Sequence, residues 1–478
     1  MTVSQDMVSK DEMVRWCARL IEKSPDFPAL EACLDAIAGL DSLDDLPSGT
    51  RVLLRGDLDV VVDDNGAIGD DVRLRSLLAT LRHGCRRGWV LIVYGHRGRD
   101  PQLSLQPVAT HLQNLLRQEG LENPTVGFVD EWLDDQRGHV LDAAAKQIAA
   151  LPDGSVAVLE NTRRYKLEQL LWKAKPEDLP ELADRLANYA NSIRGQLAAV
   201  HVNEGFAASN VDLSSTVVPF TMDRAVLGKY VDHELREHVT RTRQAELVVF
   251  SGIKTNKLDD LERILNRGRV RMVIAAGSLA IALKKADADL AGEAFELGLN
   301  GDPSQKTYVS PQRVEQAVRM IRSGRDRGVE FVLPIDFILG DGTASDTIPP
   351  DGAQFDVGPK TVELQAKKVG EFIERHGRKS SVGEGPAVAF HNGVFGKFEE
   401  ERFARGTRKF ISQLKRLHDA GVEVYVGGGE GGAALHRYGD ESWVTHCYTA
   451  GGTILKALGN EPIPYLKALY LKATGGWS

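Results

Sequence analysis

A chain of 478 residues exceeds what one hydrophobic core ordinarily organises, so two large domains are expected. Hydrophobic content of 42% beside 26% charged residues fits a globular protein, and a formal net charge of −8 argues against general attraction to nucleic acid or anionic membranes. No apolar run approaches the roughly 20 residues of a membrane span, and the N-terminus lacks the continuous apolar core of a secretory signal. Four cysteines (Cys17, Cys33, Cys85, Cys447) form neither a C-x-x-C pair nor a zinc spacing. The expectation is a reduced, cytoplasmic, monomeric protein with no nucleic-acid or membrane partner.

Residues 1–46 read as an added helical segment. Met13, Cys17, Leu20 and Ile21 recur at helical spacing, as do Leu30, Cys33, Leu34 and Ile37, with Pro28 and Gly39 as start and stop signals. A packing extension is the expected role. From Arg51 onward, short aliphatic runs alternate with longer amphipathic stretches: Val52–Leu54, Val90–Val93, Val156–Leu159 and Ala198–Val202. A second series follows at Leu247–Phe250, Val273–Ala275, Phe331–Leu333, Val388–Phe390 and Val422–Val426. Such runs predict strands buried on both faces, hence parallel sheets covered by helices. The expected division is an acceptor domain over 47–221, a hinge helix over 222–243, a nucleotide domain over 244–445, and a segment 446–478 returning toward the first domain. The fold class is α/β, with two doubly wound parallel-sheet domains. In open parallel sheets ligands bind beyond the carboxyl ends of the strands, where the unusual residues of this chain fall.

In the first half, cations follow successive strands. Arg55-Gly56-Asp57-Leu58-Asp59 comes after the first, Gly95-His96-Arg97-Gly98-Arg99 after the second, and Glu160-Asn161-Thr162-Arg163-Arg164 after another; Arg73 opens a helix. Cations at equivalent topological positions converge, and an arginine fork suits phosphate or carboxylate oxygens. In the second half, His391-Asn392-Gly393-Val394-Phe395-Gly396-Lys397-Phe398-Glu399 begins on a strand and turns toward a helix. Its glycines admit close backbone approach, and its carboxylate can accept ribose hydroxyl protons. Gly427-Gly428-Gly429-Glu430-Gly431-Gly432 leaves another strand in a turn whose amides can cradle an anion.

These stretches together resemble the phosphoglycerate kinase family, in its own order along residues 49–465. The first-half motifs are similar to R-V-D-F-N, D-x-R-I-R, S-H-L-G-R-P and E-N-x-R-F. His391–Glu399 is similar to W-N-G-P-M-G-V-F-E. Ser251-Gly252-Ile253-Lys254-Thr255-Asn256-Lys257 resembles G-G-A-K-V-S-D-K, one residue shorter, and Asp356-Val357-Gly358-Pro359-Lys360-Thr361 resembles D-I-G-P-K-T. The resemblance implies a kinase that uses Mg²⁺ and ATP/ADP to phosphorylate a small anionic carboxylate, with 3-phosphoglycerate as the leading case. It implies Arg73 and Lys254 as the transfer residues, and Asp57, Asp59, His96, Arg99 and Arg163 around the acceptor. It assigns Lys257, Gly277, Asn392, Glu399, Gly428, Gly429 and Gly431 to the nucleotide and Glu430 to the metal. ATP and acceptor would then sit on different domains, with closure about the hinge before transfer.

Three departures bear on the acceptor and the metal. Asp59 stands where the family has asparagine, which repels an anionic ligand unless a cation or proton intervenes. Asn210 and Val211 replace a histidine and an arginine of the family's basic patch, so a weaker hold on 3-phosphoglycerate, or a different carboxylate, is expected. Glu430 replaces an aspartate. Two other readings stay open on sequence alone. A non-catalytic nucleotide-binding scaffold is one. A dehydrogenase is the other, because Gly427–Gly432 fits G-x-G-x-x-G, although no second strand ends in an acidic residue about 20 positions on. No Walker A pattern is present.

Overall fold

The computed structural model describes residues 7–22, 27–121, 124–252, 257–377 and 385–477. It divides into two compact units, Met1–Glu237 with Pro462–Ser478, and His238–Glu461.

The first unit is built on six parallel strands: β1 (Arg51–Gly56), β2 (Val90–Tyr94), β3 (Val126–Val129), β4 (Val156–Leu159), β5 (Val200–Glu204) and β6 (Arg224–Leu227). Their spatial order is β3-β4-β2-β1-β5-β6. Alternation along β1 serves two cores at once: Val52 and Leu54 enter the cluster on one face, and Leu53 enters the cluster on the other. The helical extension completes the second of these clusters. Met13, Trp16, Cys17 and Leu20, on the helix α1 (Lys10–Ile21), are buried there with Ala468 and Leu471 of the C-terminal helix Pro464–Thr474. Ser9 caps α1 in a reciprocal box with Glu12. The Trp16 ring stacks on Phe220 at 4.3 Å, and its Nε1 donates to the carbonyl of Thr216 at 3.0 Å.

The second unit carries β7 (Leu247–Ser251), β8 (Met272–Ala276), β9 (Glu330–Val332), β10 (Phe337–Leu339), β11 (Ala344–Ser345), β12 (Gln354–Val357), β13 (Val388–Asn392), β14 (Glu423–Gly427) and β15 (His446–Cys447). Six of them form a parallel sheet in the order β9-β8-β7-β13-β14-β15, and β11-β10-β12 form a small antiparallel sheet. In each large sheet the strand order reverses beside the first strand, between β1 and β5 in one unit and between β7 and β13 in the other. Those reversals open crevices at the carboxyl ends of the strands.

Two expected boundaries differ. The stretch 222–243, read as one hinge helix, opens with β6, which pairs with β5 because Val226 and Leu227 find cover at the sheet edge. Helix Lys229–His233, π-helical Glu234–Val239 and a short turn at Thr240–Thr242 follow. The segment from 446 does not return to the first unit at once. β15 pairs with β14, and the first unit regains the chain only at Pro462. Among the described residues no helix is long and apolar enough to cross a membrane.

Candidate functional site

In the first unit the arginines gather at the crevice between β1 and β5. Asp57, just past β1, is buried, and burial pushes its carboxyl up despite the opposing pull of Arg73 and Arg55. Arg73, in the short helix Val72–Ser76, donates from Nη1 to the carbonyl of Asp59 at 2.9 Å. The same nitrogen lies 3.3 Å from Asp59 Oδ2 and 3.8 Å from Asp57 Oδ1. Asp59 Oδ1 accepts from the amide of Gly98 at 2.7 Å, and Arg163 donates to the Gly98 carbonyl at 2.6 Å with its guanidinium 5.5 Å from the Trp172 ring centre. His96 is held neutral: burial first, then the charges of Arg55, Arg163 and Arg73, push its pKa well below the histidine range. Arg99 stands exposed on the same loop.

The negative charge of Asp59 is paired with a cation, Arg73, whose Nη1 lies 3.3 Å from its Oδ2. Val211 packs against the core and Asn210 is exposed, so neither offers charge to this crevice. Sequence reasoning assigns no role to Arg55. The structure buries it and ties Nε to Ser214 Oγ at 2.8 Å and Nη2 to His96 Nδ1 at 3.1 Å. A charged residue inside an otherwise apolar strand was the available signal.

In the second unit a cleft of about 850 Å³ opens at the β7/β13 crevice. Leu299, Leu339, Pro349 and Phe355 give it an apolar wall; Gly252, Gly277, Glu399 and Glu430 line it as well. That combination suits a flat base at one place and charged groups at another. Gly277 begins helix Gly277–Ala291 with φ +67°, and a Cβ there would meet the Gly252 carbonyl at 2.9 Å. Gly428, at φ +89°, precedes helix Gly429–Tyr438, so any side chain is strained there and would crowd Asn392 Nδ2 at 3.1 Å. Both turns bring a helix N-terminus to the crevice, which favours anions.

Not every expected nucleotide residue lines this cleft. Asn392 is buried and braces the strand ends: Nδ2 donates to the Gly427 carbonyl at 3.0 Å, and Oδ1 accepts from Lys257 Nζ at 3.0 Å. Lys257 Nζ also donates to the Ser251 carbonyl at 2.9 Å. Gly431 is buried in the first turn of its helix, whereas Gly429 and Glu430 are exposed. Lys254 lies outside the described residues. The D-V-G-P-K-T stretch sits at two helix N-termini, beginning one helix and capping another through Asp356. The Asp336 carboxylate accepts from the amides of Lys360 and Thr361, and the Asp356 carboxylate accepts from that of Gly406. Sequence reasoning missed the apolar wall. Phe355, immediately before Asp356, was the nearest signal to it.

His391 ends up enclosed between sheet and helix, stacked on Phe410 at 5.6 Å and 15°. Burial pushes its pKa down to about 4, so the folded protein resists a proton that the unfolded chain takes up near pH 6.5. Its contribution to stability is complete above pH 6.5 and is lost as pH falls toward 4. His391→Phe should remove that acid sensitivity. The slope of unfolding free energy against pH should then flatten by up to about 1.4 kcal/mol per pH unit in that window, as read from urea titrations of both proteins. Parallel curves for the two proteins would rule the assignment out.

A family model described as phosphoglycerate kinase matches residues 43–461. The cytosolic phosphoglycerate kinase of Triticum aestivum is 28% identical over 440 residues, covering 88% of this chain and 95% of its own length. The phosphoglycerate kinase of Clostridium beijerinckii is 29% identical over 435 residues, covering 88% and 96%. Among solved structures, phosphoglycerate kinase from Coxiella burnetii superposes with a TM-score of 0.65 at 24% identity, over 92% of this chain and 100% of that one. The enzyme from Pyrococcus horikoshii gives 0.68 at 22% identity, over 90% and 98%. At those identities the structural likeness speaks for the fold.

Proposed function

The chain belongs to the phosphoglycerate kinase family, and on that premise we propose that it transfers the terminal phosphoryl group of ATP to a carboxylate, making an acyl phosphate. The leading acceptor is 3-phosphoglycerate, with 1,3-bisphosphoglycerate and ADP as products. The observation that carries this reading is the span of the family match: it takes in both the arginine cluster of the first unit and the cleft of the second.

The chemistry asks little covalent work of the protein. An acceptor carboxylate is already ionised, so its oxygen can attack phosphorus without a general base, and ADP leaves from the opposite side. What remains is positioning and neutralisation of charge on the moving phosphoryl group. Arg73 supplies a cation at the acceptor crevice, and Lys254 is proposed to accompany the phosphoryl group from the nucleotide side. Arg163 and neutral His96 orient the acceptor. Gly277 and the Gly428–Gly429 turn present helix N-termini to the phosphates.

Magnesium is commonly held by one or two carboxylates together with phosphate oxygens and water. Glu430, an exposed carboxylate on the cleft beside the Gly428 turn, fits that demand and would hold the ion. When bound, Mg²⁺ offsets charge between the phosphates. Glu399, also on the cleft, is proposed to accept the ribose hydroxyls. Glu399→Ala should then weaken ATP binding by about 1–3 kcal/mol. An unchanged dissociation constant by calorimetry would place the nucleotide elsewhere.

A second acceptor reading has its own support. Arg73 is already engaged by Asp59, and Val211 is turned into the core, so the crevice offers less free positive charge to a distal phosphate. A carboxylate of lower charge would then be preferred to 3-phosphoglycerate. ADP release from ATP, followed with 3-phosphoglycerate and with uncharged-tail carboxylates in parallel, tests both readings. Release that depends on one of these acceptors supports transfer and identifies the class, and ATP turnover indifferent to every acceptor contradicts it.

A further inference from the structure

We propose that Arg55 is a positioning residue for the acceptor site, fixing His96 as a neutral imidazole that carries its proton on Nε2. The proposal rests on the reading of the first unit's crevice as the acceptor site. Its basis is a contact between two groups with unequal options. Arg55 Nη2 lies 3.1 Å from His96 Nδ1. A guanidinium has only donors, so at hydrogen-bond distance Nδ1 must be the acceptor and cannot hold a proton. The one proton of a neutral ring then sits on Nε2.

Arg55 itself has little freedom. Its side chain is fully enclosed at the end of β1, where Nε donates to Ser214 Oγ at 2.8 Å, Nη1 donates to the Gly56 carbonyl, and Nη2 lies 3.8 Å from Asp212 Oδ2. Glu168 completes the setting by accepting from the Ser214 amide at 3.1 Å. The guanidinium is therefore aimed by three groups from two chain segments, one of those groups, Ser214, being held in turn by Glu168, and the imidazole is aimed by the guanidinium. Doubly protonated His96 would set an N–H against an N–H, in a place where Arg73 and Arg163 already add positive charge. His96 is only partly covered, and Nε2 is the ring nitrogen that Arg55 leaves unengaged. The result is a donor to the acceptor's oxygens that adds no charge of its own, distinct from the arginines around it.

The direct test is long-range proton–nitrogen NMR on full-length protein labelled in its histidine rings, with His96 assigned by loss of its signals in His96→Gln. The expected pattern is a neutral ring protonated at Nε2, constant between about pH 6 and 8. A ring protonated at Nδ1, or at both nitrogens, overturns the proposal. Arg55→Lys, which keeps a donor, should preserve the pattern, and Arg55→Met should give mixed tautomers and a ring that titrates at higher pH. Because Arg55 is buried, a second pair of variants keeps the question decidable should Arg55→Met unfold. Glutamine places its amide nitrogen near the Nε2 position and asparagine near Nδ1. Both variants should raise the acceptor KM, His96→Asn by roughly tenfold more than His96→Gln, with nucleotide affinity unchanged in both. The reverse ranking overturns the proposal. Failure to phosphorylate any carboxylate would instead remove the transfer reading, since the NMR measurement needs no substrate and decides the tautomer alone.

Discussion

Arg73→Ala should lower kcat by roughly 10²-fold or more while leaving the ATP dissociation constant within about twofold of wild type. Among the described residues, the unit that holds Arg73 lines no part of the cleft proposed for the nucleotide, so its loss should not be felt in nucleotide binding. Its guanidinium is held at the crevice by the Asp59 carbonyl and by the carboxylates of Asp59 and Asp57. A cation fixed before the reaction begins costs no reorganisation as charge develops, which is why its removal should appear in kcat. Arg73→Lys keeps the charge but loses the fork, and should recover only part of the rate. Rapid-quench measurement of the transfer step separates this from slow product release. Lys254→Ala should show a defect of the same order, measured in the same way. Near-normal turnover in Arg73→Ala would mean that the arginine braces the two aspartates and does nothing to the phosphoryl group.

Trp16→Ala should cost the first unit about 3–5 kcal/mol, the range for removing a large aromatic from a packed core. The Trp16 side chain is completely buried, stacked on Phe220 and edge-on to Trp477 at 6.4 Å. Alanine would open a cavity and leave the Thr216 carbonyl without its donor, adding a desolvation cost. For a domain of this size each kcal/mol moves the melting temperature by roughly 2–4 °C, so a fall of about 6–20 °C is expected in calorimetry. Thr216 closes the short helix Leu213–Thr216, whose Ser214 binds Arg55. The loss should therefore also raise the acceptor KM. Trp16→Phe keeps the stack but loses the hydrogen bond and part of the buried ring, so it should cost less than Trp16→Ala, about 1–3 kcal/mol. An unchanged melting temperature in Trp16→Ala would show that the extension is not part of this core.

The inner strands were legible because they are apolar on both faces. Val52–Leu54, Val156–Leu159 and Leu247–Phe250 must be buried wherever they go, and a parallel sheet is the arrangement that does so. Of the four edge strands only β9 was, through Phe331–Leu333; the other three were not. β3 carries Gly127 and is half-exposed, β6 hides inside a charged stretch, and β15 is two residues long. Each is defined by the backbone of its neighbour more than by its own side chains. The site divides in the same way. Glycine turns and arginines after strand ends announce themselves, since their chemistry is unusual where they stand. The apolar wall of the cleft does not, because Leu299, Pro349 and Phe355 are ordinary residues brought together only by the fold. Asn392 and Lys257 show the opposite difficulty. They lie at the crevice where the motif puts them, yet their polar atoms are spent on Gly427, Ser251 and each other.

The most direct measurement of the central claim is chemical capture of the product. Purified protein incubated with ATP, magnesium, hydroxylamine and a carboxylate should yield the acyl hydroxamate in step with ADP, because hydroxylamine attacks an acyl phosphate at its carbonyl. The predicted result is hydroxamate from 3-phosphoglycerate or from a carboxylate of lower charge, lost in Arg73→Ala. ATP binding by calorimetry with no hydroxamate from any carboxylate would contradict the account and mark the chain as a nucleotide-binding scaffold.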